Sequence, residues 1–177
     1  MSPSEPGGGP AAEVDDLTAA VVRRLAADGL TVAAAESLTG GELTAELTRV
    51  PGASAVVLGG TVVYATALKH SLLGVDAELL AEVGPVHPEV AAQLATGVRE
   101  RLAVDGRAAD IGLSTTGVAG PDPQGGQPVG TVYVGIATRS GARVVALALS
   151  GSRASIRRQV VLRAIRELAR EVGIDAT

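Results

Sequence analysis

Cysteine, phenylalanine and tryptophan are absent from this chain of 177 residues, and tyrosine occurs only as Tyr64 and Tyr133. The absence of cysteine excludes disulfides, thiolate nucleophiles and zinc sites built on cysteine. Histidine occurs only as His70 and His87, which leaves little for a histidine-rich metal site. The 46% of hydrophobic residues must therefore build a core of Val, Leu, Ile and Ala, a composition that suits helices packed on a valine-rich sheet.

Lysine is almost absent as well. Lys69 is the only lysine among fifteen cationic side chains, and all the others are arginine. Arginine cannot be deprotonated in a protein, whereas a desolvated lysine can lose its proton and act as a base. Lys69 is therefore a candidate for proton chemistry. Chance is the competing explanation, because a low lysine frequency often leaves a single lysine in a chain.

The net charge is −4, and the arginines are spread along the chain, so no basic surface for nucleic acid is indicated. Residues 1–12 are rich in Pro, Gly and Ser without an apolar segment, which predicts a disordered N-terminal tail rather than a signal peptide. The remaining residues, 13–177, are predicted to form one domain, without internal repeats.

Residues 50–68 are uncharged and about as long as a membrane span. One proline and three glycines within this stretch indicate instead a loop followed by a buried strand. We therefore predict a cytoplasmic protein with neither a membrane nor a nucleic acid as partner. The Val- and Ala-rich composition predicts a homo-oligomer.

Apolar spacing and end signals predict both helices and strands. Helices are expected at 13–28, 39–49, 88–104 and 152–172, with short ones from Thr66 and Asp76, and strands at 31–35, 56–64, 110–115, 129–138 and 142–150. The helix at 39–49 opens with a predicted capping box from Thr39 to Glu42. The strands are continuously apolar, so both sheet faces should be covered. The predicted fold class is α/β, a three-layer α/β/α sandwich with a mixed sheet.

Ligands of open α/β sheets bind in loops beyond the carboxyl ends of the strands. The first such loop is residues 35–41, Ala-Glu-Ser-Leu-Thr-Gly-Gly, where the predicted cap Thr39 leaves Ser37 free. The amides near Gly40 and Gly41 would lie at a helix N-terminus, where they could bind an anion or an oxyanion. A serine that only decorates a turn is the ordinary alternative.

Two further loops carry candidates. Residues 64–69 lead from a strand end into a helix, and residues 115–121 are followed closely by two more glycines, which would let the backbone approach a phosphate or sugar. Arg153 stands at the N-terminus of the last helix, where a cation opposes the helix dipole, so an anionic ligand is expected nearby. The ordinary alternatives are a solvated helix lysine at position 69, a flexible connection at residues 115–121 and a surface arginine at position 153.

Spacing argues against several familiar sites. Tyr64 and Lys69 are one residue too far apart for a Tyr-x-x-x-Lys dehydrogenase pair, and neither Gly-x-Gly-x-x-Gly nor a P-loop occurs. A Ser-x-x-Lys motif would need serine at position 66, which leaves Thr66 as an alternative nucleophile. A Ser-His-Asp triad would need His70 or His87, and both are placed at helices.

Taken together and in order, these segments resemble the CinA C-terminal domain family, the nicotinamide-nucleotide amidohydrolases. The resemblance extends over roughly residues 13–170. The matching residues are Ala35–Gly41, Val50–Ser54, Gly59, Gly60, Tyr64, Lys69, Leu73–Val75, Gly84–Ala91, Thr116–Pro121, Pro128–Val132, Arg153 and Arg157.

The resemblance implies hydrolysis of the amide of nicotinamide mononucleotide (NMN) to nicotinate mononucleotide and ammonia, through an acyl-enzyme and with no cofactor or metal. Ser37 would be the nucleophile, Lys69 its base and Tyr64 an assisting group. The implied substrate-binding residues are Glu36, Thr39, Gly40, Gly41, Thr116, Gly117 and Arg153.

Six positions depart from the pattern of the family. Leu38 stands where the family frequently has cysteine, and Thr66 stands where it usually has asparagine. Ser152 and Val160 stand where aspartate and threonine are common. Pro85 and His87 differ just before the helix predicted at 88–104. These departures bear on rate and substrate preference more than on fold. Two alternatives therefore stay open: a nucleotide-binding module that does not catalyse, and a serine amidase acting on another small phosphorylated amide.

Overall fold

A computed structural model describes residues 10–175 of the protein, with side chains from residue 17 onward. The predicted disordered tail, residues 1–12, falls mainly on residues 1–9, outside the described part of the chain. The first helix begins at Pro10, three residues earlier than predicted, so residues 10–12 are helical.

Five strands form one mixed sheet. They are Val32–Glu36 (β1), Val57–Val62 (β2), Ile111–Gly117 (β3), Thr131–Thr138 (β4) and Gly141–Ala148 (β5). Their order in the sheet is β2-β1-β3-β4-β5. β1 pairs in parallel with β2 and β3, whereas β4 pairs antiparallel with β3 and β5. The predicted mixed sheet is confirmed, and the carboxyl ends of β1, β2 and β3 meet at one edge.

Six α-helices of the described residues cover the sheet. They are Pro10–Asp28 (α1), Glu42–Thr48 (α2), Thr66–Leu73 (α3), Ala77–Val83 (α4), Pro88–Arg101 (α5) and Arg153–Glu171 (α6). Leu25 of α1, Leu43 of α2 and Ile165 of α6 share one core cluster with Ile111. On the opposite face, side chains of α3, α4 and α5 pack against alternate residues of β1. The three-layer sandwich is therefore confirmed.

Burial differs between the centre and the edges of the sheet. All five residues of β1 are buried, and so are the first six of β3. The outer strands β2 and β5 are only partly covered, because each has a neighbour on one side alone. The prediction that both faces are covered thus holds for the central strands and fails at the edges. Among the described residues, no helix combines the length and apolar character needed to cross a membrane.

The predicted start signals of α4, α5 and α6 are confirmed. The Asp76 carboxylate accepts a hydrogen bond from the Glu78 amide at 2.7 Å, and the Ser152 hydroxyl accepts one from the Ser155 amide at 3.3 Å. Pro88 occupies the first position of α5, where its missing N–H costs nothing. These caps fix the loops that precede the helices, and the loop before α5 supplies Pro85 and Val86 to the cavity described below.

Candidate active site

A cavity of about 130 Å³ opens where β1, β2 and β3 end. Five separate parts of the chain line it: the turn after β1, the segment 64–69, the loop before α5, the segment 116–124 and the first residue of α6. The parallel strands bring three of these parts together, those that follow β1, β2 and β3, because the carboxyl ends of these strands share one edge of the sheet. The cavity therefore lies where the sequence predicted a ligand site.

Ser37 and Lys69 form a buried pair in this cavity. The Lys69 Nζ lies 3.1 Å from Ser37 Oγ and donates a second hydrogen bond to the Val63 carbonyl at 2.7 Å. Lys69 is 0% exposed and Ser37 is 9% exposed. Burial lowers the pKa of Lys69 to about 8, because desolvation penalises the charged ammonium. The structure thus brings a serine hydroxyl within reach of a lysine that loses its proton readily.

The turn that carries Ser37 is tight. The Ser37 amide donates to the Thr115 carbonyl of the neighbouring strand, and the Gly40 amide donates back to the Ser37 carbonyl. Gly40 and Gly41 have φ angles of 60° and 103°, a region that suits glycine because it has no Cβ. This backbone holds Ser37 at the strand end and leaves its side chain at the cavity.

The prediction that Thr39 caps the second helix is wrong. That helix begins at Glu42 with Gly41 as N-cap and no hydrogen bond from a cap side chain. The Thr39 hydroxyl instead shares a hydrogen bond of 2.8 Å with the Thr115 hydroxyl, and both residues are buried. Thr39 therefore ties the turn to β3 and does not line the cavity.

Glu36 caps the N-terminus of α2 instead. Its carboxylate accepts hydrogen bonds from the amides of Gly41, Leu43 and Thr44 at 2.9, 3.0 and 2.8 Å, and a fourth from the Thr44 hydroxyl at 2.6 Å. A buried carboxylate needs such donors, and the helix N-terminus supplies them with a favourable dipole. The side chain of Glu36 is 0% exposed and does not line the cavity, so the structure corrects its expected position as a substrate contact.

The two amides that were expected to bind an oxyanion already have acceptors. The Gly40 amide is bound to the Ser37 carbonyl and the Gly41 amide to the buried carboxylate, so neither is available. The amides of Leu38 and Thr39 have no acceptor among the described residues. They follow Ser37 directly, the position from which a nucleophile turn usually stabilises an oxyanion.

Tyr64 contacts Arg153 rather than Lys69. Arg153 donates from Nη2 to the Tyr64 hydroxyl at 3.0 Å and from Nη1 to the Gly120 carbonyl at 2.8 Å. Tyr64 is 59% exposed, so its hydroxyl lies at the mouth of the cavity, away from the buried ammonium. The expected assistance of Tyr64 to Lys69 thus has no direct contact behind it, and the Val63 carbonyl positions the amine instead.

Three of the predicted binding residues do line the cavity: Thr116, Gly117 and Arg153. The Thr116 hydroxyl donates to the Pro85 carbonyl at 2.6 Å, so it fixes the loop before α5. A Cβ at Gly117 would lie 2.7 Å from the Thr131 carbonyl oxygen, which explains why glycine is needed where β3 ends. Thr116 and Gly117 thus shape the wall of the cavity.

Arg157 was among the residues that match the family, but sequence reasoning assigned it no role in the site. Its Nη2 donates to the Thr39 carbonyl at 2.8 Å and forms an ion pair of 2.8 Å with Glu42. The spacing of four residues from Arg153 places both arginines on one side of α6, and this spacing was the available signal.

Two residues that line the cavity, Asp122 and Gln124, were missed. Nothing in their sequence shows how the loop folds, so no signal pointed to them. Among the described residues, no group of three or more acidic or histidine side chains is arranged to hold a metal ion.

The sequence of this chain is similar to those of known proteins. Residues 14–172 match the family described as CinA C-terminal domain. A CinA-like protein of Frankia casuarinae is 48% identical over 151 residues, which is 85% of this chain and 34% of that protein. A putative competence-damage inducible protein of Geobacillus sp. is 53% identical over 128 residues, or 72% of this chain and 30% of that protein.

Solved structures agree. The competence/damage inducible protein CihA from Agrobacterium tumefaciens superposes with a TM-score of 0.83 at 32% identity, covering 96% of this chain and 98% of that one. A CinA superfamily protein from Enterobacter cloacae gives a TM-score of 0.85 at 26% identity, covering 98% and 99% of the two chains. The chain spans about a third of the length of the curated relatives it matches. The protein belongs to the CinA C-terminal domain family.

Proposed function

We propose that this protein is an amidohydrolase that converts NMN to nicotinate mononucleotide and ammonia through a Ser37–Lys69 pair. The observation that carries the proposal is the contact of 3.1 Å between Ser37 Oγ and a buried lysine whose pKa is lowered to about 8. Membership of the family and the resemblance of its motifs to nicotinamide-nucleotide amidohydrolases support NMN as the substrate.

In the first step, Ser37 Oγ attacks the carboxamide carbon while neutral Lys69 accepts the hydroxyl proton. Serine is a poor nucleophile until a base takes this proton. The hydrogen bond to the Val63 carbonyl uses one N–H of the neutral amine and leaves its lone pair free to accept the proton of Ser37. The free amides of Leu38 and Thr39 stabilise the tetrahedral oxyanion.

In the second step, the carbon–nitrogen bond breaks. Lys69 returns its proton to the leaving nitrogen, so ammonia departs and an ester remains on Ser37. Water then attacks the ester carbon and gives a proton to Lys69. Cleavage of the carbon–oxygen bond releases nicotinate mononucleotide, and Lys69 reprotonates Ser37. Each proton passes through the same amine, so one lysine serves as base and acid.

The mouth of the cavity suits the remainder of the substrate. Arg153 is exposed there and carries a planar guanidinium that matches a phosphate group. Its contacts with Tyr64 and Gly120 place the charge between two walls of the cavity. The ring of Tyr64 is the only aromatic group that lines the cavity, and we assign it as the contact of the pyridine ring.

Ammonia release from NMN tests this proposal. Wild type should be active, whereas Ser37→Ala and Lys69→Arg should each lose about 10²- to 10⁴-fold in kcat, because arginine keeps the charge but cannot act as a base. Ser71→Ala, an exposed serine on the same helix as Lys69, is the matched control and should retain activity. Full activity of Ser37→Ala would contradict the mechanism, and silence of wild type would contradict the function.

A further inference from the structure

Asp122 is the only carboxylate among the residues that line the cavity. It is exposed, and it has no hydrogen-bond or ion-pair partner among the described residues. Arg153 donates a hydrogen bond to the carbonyl of Gly120, which lies two residues before Asp122. The side chains of Arg153 and Asp122 nevertheless form no ion pair. The carboxylate is therefore available to a ligand in the cavity.

We propose that Asp122 selects substrates with a cationic ring, which makes the cavity specific for oxidised pyridinium carboxamides. This inference rests on the function proposed above. The ring nitrogen of NMN is quaternary and positively charged, whereas its phosphate is negative. A cavity with one free carboxylate and one guanidinium at its mouth matches the two charges of this zwitterion.

The order of groups along the substrate fits this assignment. If the amide reaches Ser37, the ring would lie among the residues that line the cavity, Asp122 and Tyr64 included, and the ribose and phosphate would extend to Arg153. The ring of Tyr64 adds to the preference, because the face of an aromatic ring attracts a cation. The reduced form of the same nucleotide has an uncharged dihydropyridine ring and loses both attractions. Its phosphate contact stays the same.

Binding of NMN and of dihydro-NMN is the test, measured by calorimetry in the Ser37→Ala background to prevent turnover. The two ligands share ribose, phosphate and amide and differ mainly in ring charge. We expect Asp122→Asn to weaken NMN binding by about 2- to 5-fold, the range for an exposed charge pair. Dihydro-NMN binding should not change.

Salt provides a second readout. The Debye length falls to about 3 Å at 1 M salt, so the difference between NMN and dihydro-NMN caused by Asp122 should shrink there. Asp175→Asn, an exposed aspartate close to the C-terminus and outside the cavity lining, is the matched control and should leave both affinities unchanged.

The outcomes separate the two proposals. Equal weakening of both ligands by Asp122→Asn would overturn the inference and indicate a ribose contact, and unchanged affinity for NMN would overturn it as well. In either case, hydrolysis of NMN by wild type would leave the proposed function standing. Failure of NMN to bind Ser37→Ala, together with no ammonia release by wild type, would overturn both.

Discussion

At Lys69, burial and hydrogen bonding act on the same amine. Burial makes the charged form costly, while the Val63 carbonyl holds the amine in place whether or not it is charged. The sequence pointed to this residue because it is the only lysine, but chance explained that equally well. Lys69 is 0% exposed, which favours a role in proton chemistry over chance. This burial is a property of the folded chain and cannot be read from the sequence.

The pH dependence of kcat/KM should follow this amine. Only neutral Lys69 accepts the serine proton, and with a pKa of about 8 roughly one tenth of it is neutral at pH 7. Activity should therefore rise about tenfold from pH 7 to a plateau above pH 9, as measured by initial rates of ammonia release. A flat profile between pH 7 and 9 would contradict the role of Lys69 as base.

Stability should show the cost of the buried amine. The pKa of Lys69 is lower in the folded than in the unfolded chain, so the folding penalty is full below pH 8 and fades as pH rises towards 10.5. From pH 7 to 10, wild type should gain about 2–3 kcal/mol in unfolding free energy relative to Lys69→Met. Urea denaturation at both pH values measures this, and a difference independent of pH would contradict it.

At the scale of elements, the Ser37 turn is held from three sides. The Glu36 carboxylate binds it to the start of α2, the Thr39 hydroxyl binds it to β3, and Arg157 binds its backbone to α6. The side chain of Arg157 is only 27% exposed, so this contact is largely shielded from water. The position of Ser37 thus depends on α2, which follows the turn directly, and on β3 and α6, which are distant in sequence.

Glu36→Gln should loosen this turn. An amide can accept at only one of the two atoms that now receive four hydrogen bonds, and it carries no charge to meet the helix dipole. We expect a loss of about 1–3 kcal/mol in unfolding free energy, measured with urea. Glu89→Gln, in the exposed first turn of α5, should change stability by less than about 0.5 kcal/mol. Equal effects of the two substitutions would contradict the capping role.

Gly97→Ala should disturb the helix that carries Lys69. Alanine is the better helix former, but a Cβ at position 97 of α5 would lie 2.0 Å from the Leu73 carbonyl oxygen of α3. We expect a net destabilisation of about 1–3 kcal/mol. A calorimetric melting curve measures this, and a rise in melting temperature would show that α3 and α5 do not pack this closely.

The elements also show what can be predicted from sequence. Helices with a clear cap or proline, such as those that follow Asp76 and Pro88, were placed correctly because their signals are local. The cap of α2 was not, because Thr39 and Glu36 are both capable residues and only tertiary burial decides between them. The loop containing Asp122 has no periodic pattern, so its position at the cavity required the fold.

At the scale of the whole molecule, the site is assembled from five separate parts of the chain across three layers. A ligand that contacts all of them stabilises the folded state, since the unfolded chain does not bind it. The exposed edges β2 and β5 leave room for association, and the predicted homo-oligomer stays a prediction that sedimentation would measure.

Thermal unfolding with ligand should reveal this coupling. At NMN concentrations near 100 times its Kd, Ser37→Ala should gain about 2.7 kcal/mol, or roughly 5–10 °C in Tm. Nicotinamide at the same concentration lacks the ribose phosphate for Arg153 and should shift Tm far less. Equal shifts with both ligands would show that the mouth of the cavity adds nothing to binding.

The central claim is that Ser37 forms an ester with the substrate, and rapid-quench mass spectrometry of the protein mixed with NMN tests it most directly. Acid quenching preserves an ester, and peptide mapping locates it. We expect a nicotinoyl-nucleotide adduct on the peptide that contains Ser37, absent from Ser37→Ala. Turnover of NMN with no adduct on Ser37 at any quench time, or with an adduct on Thr66, would contradict it.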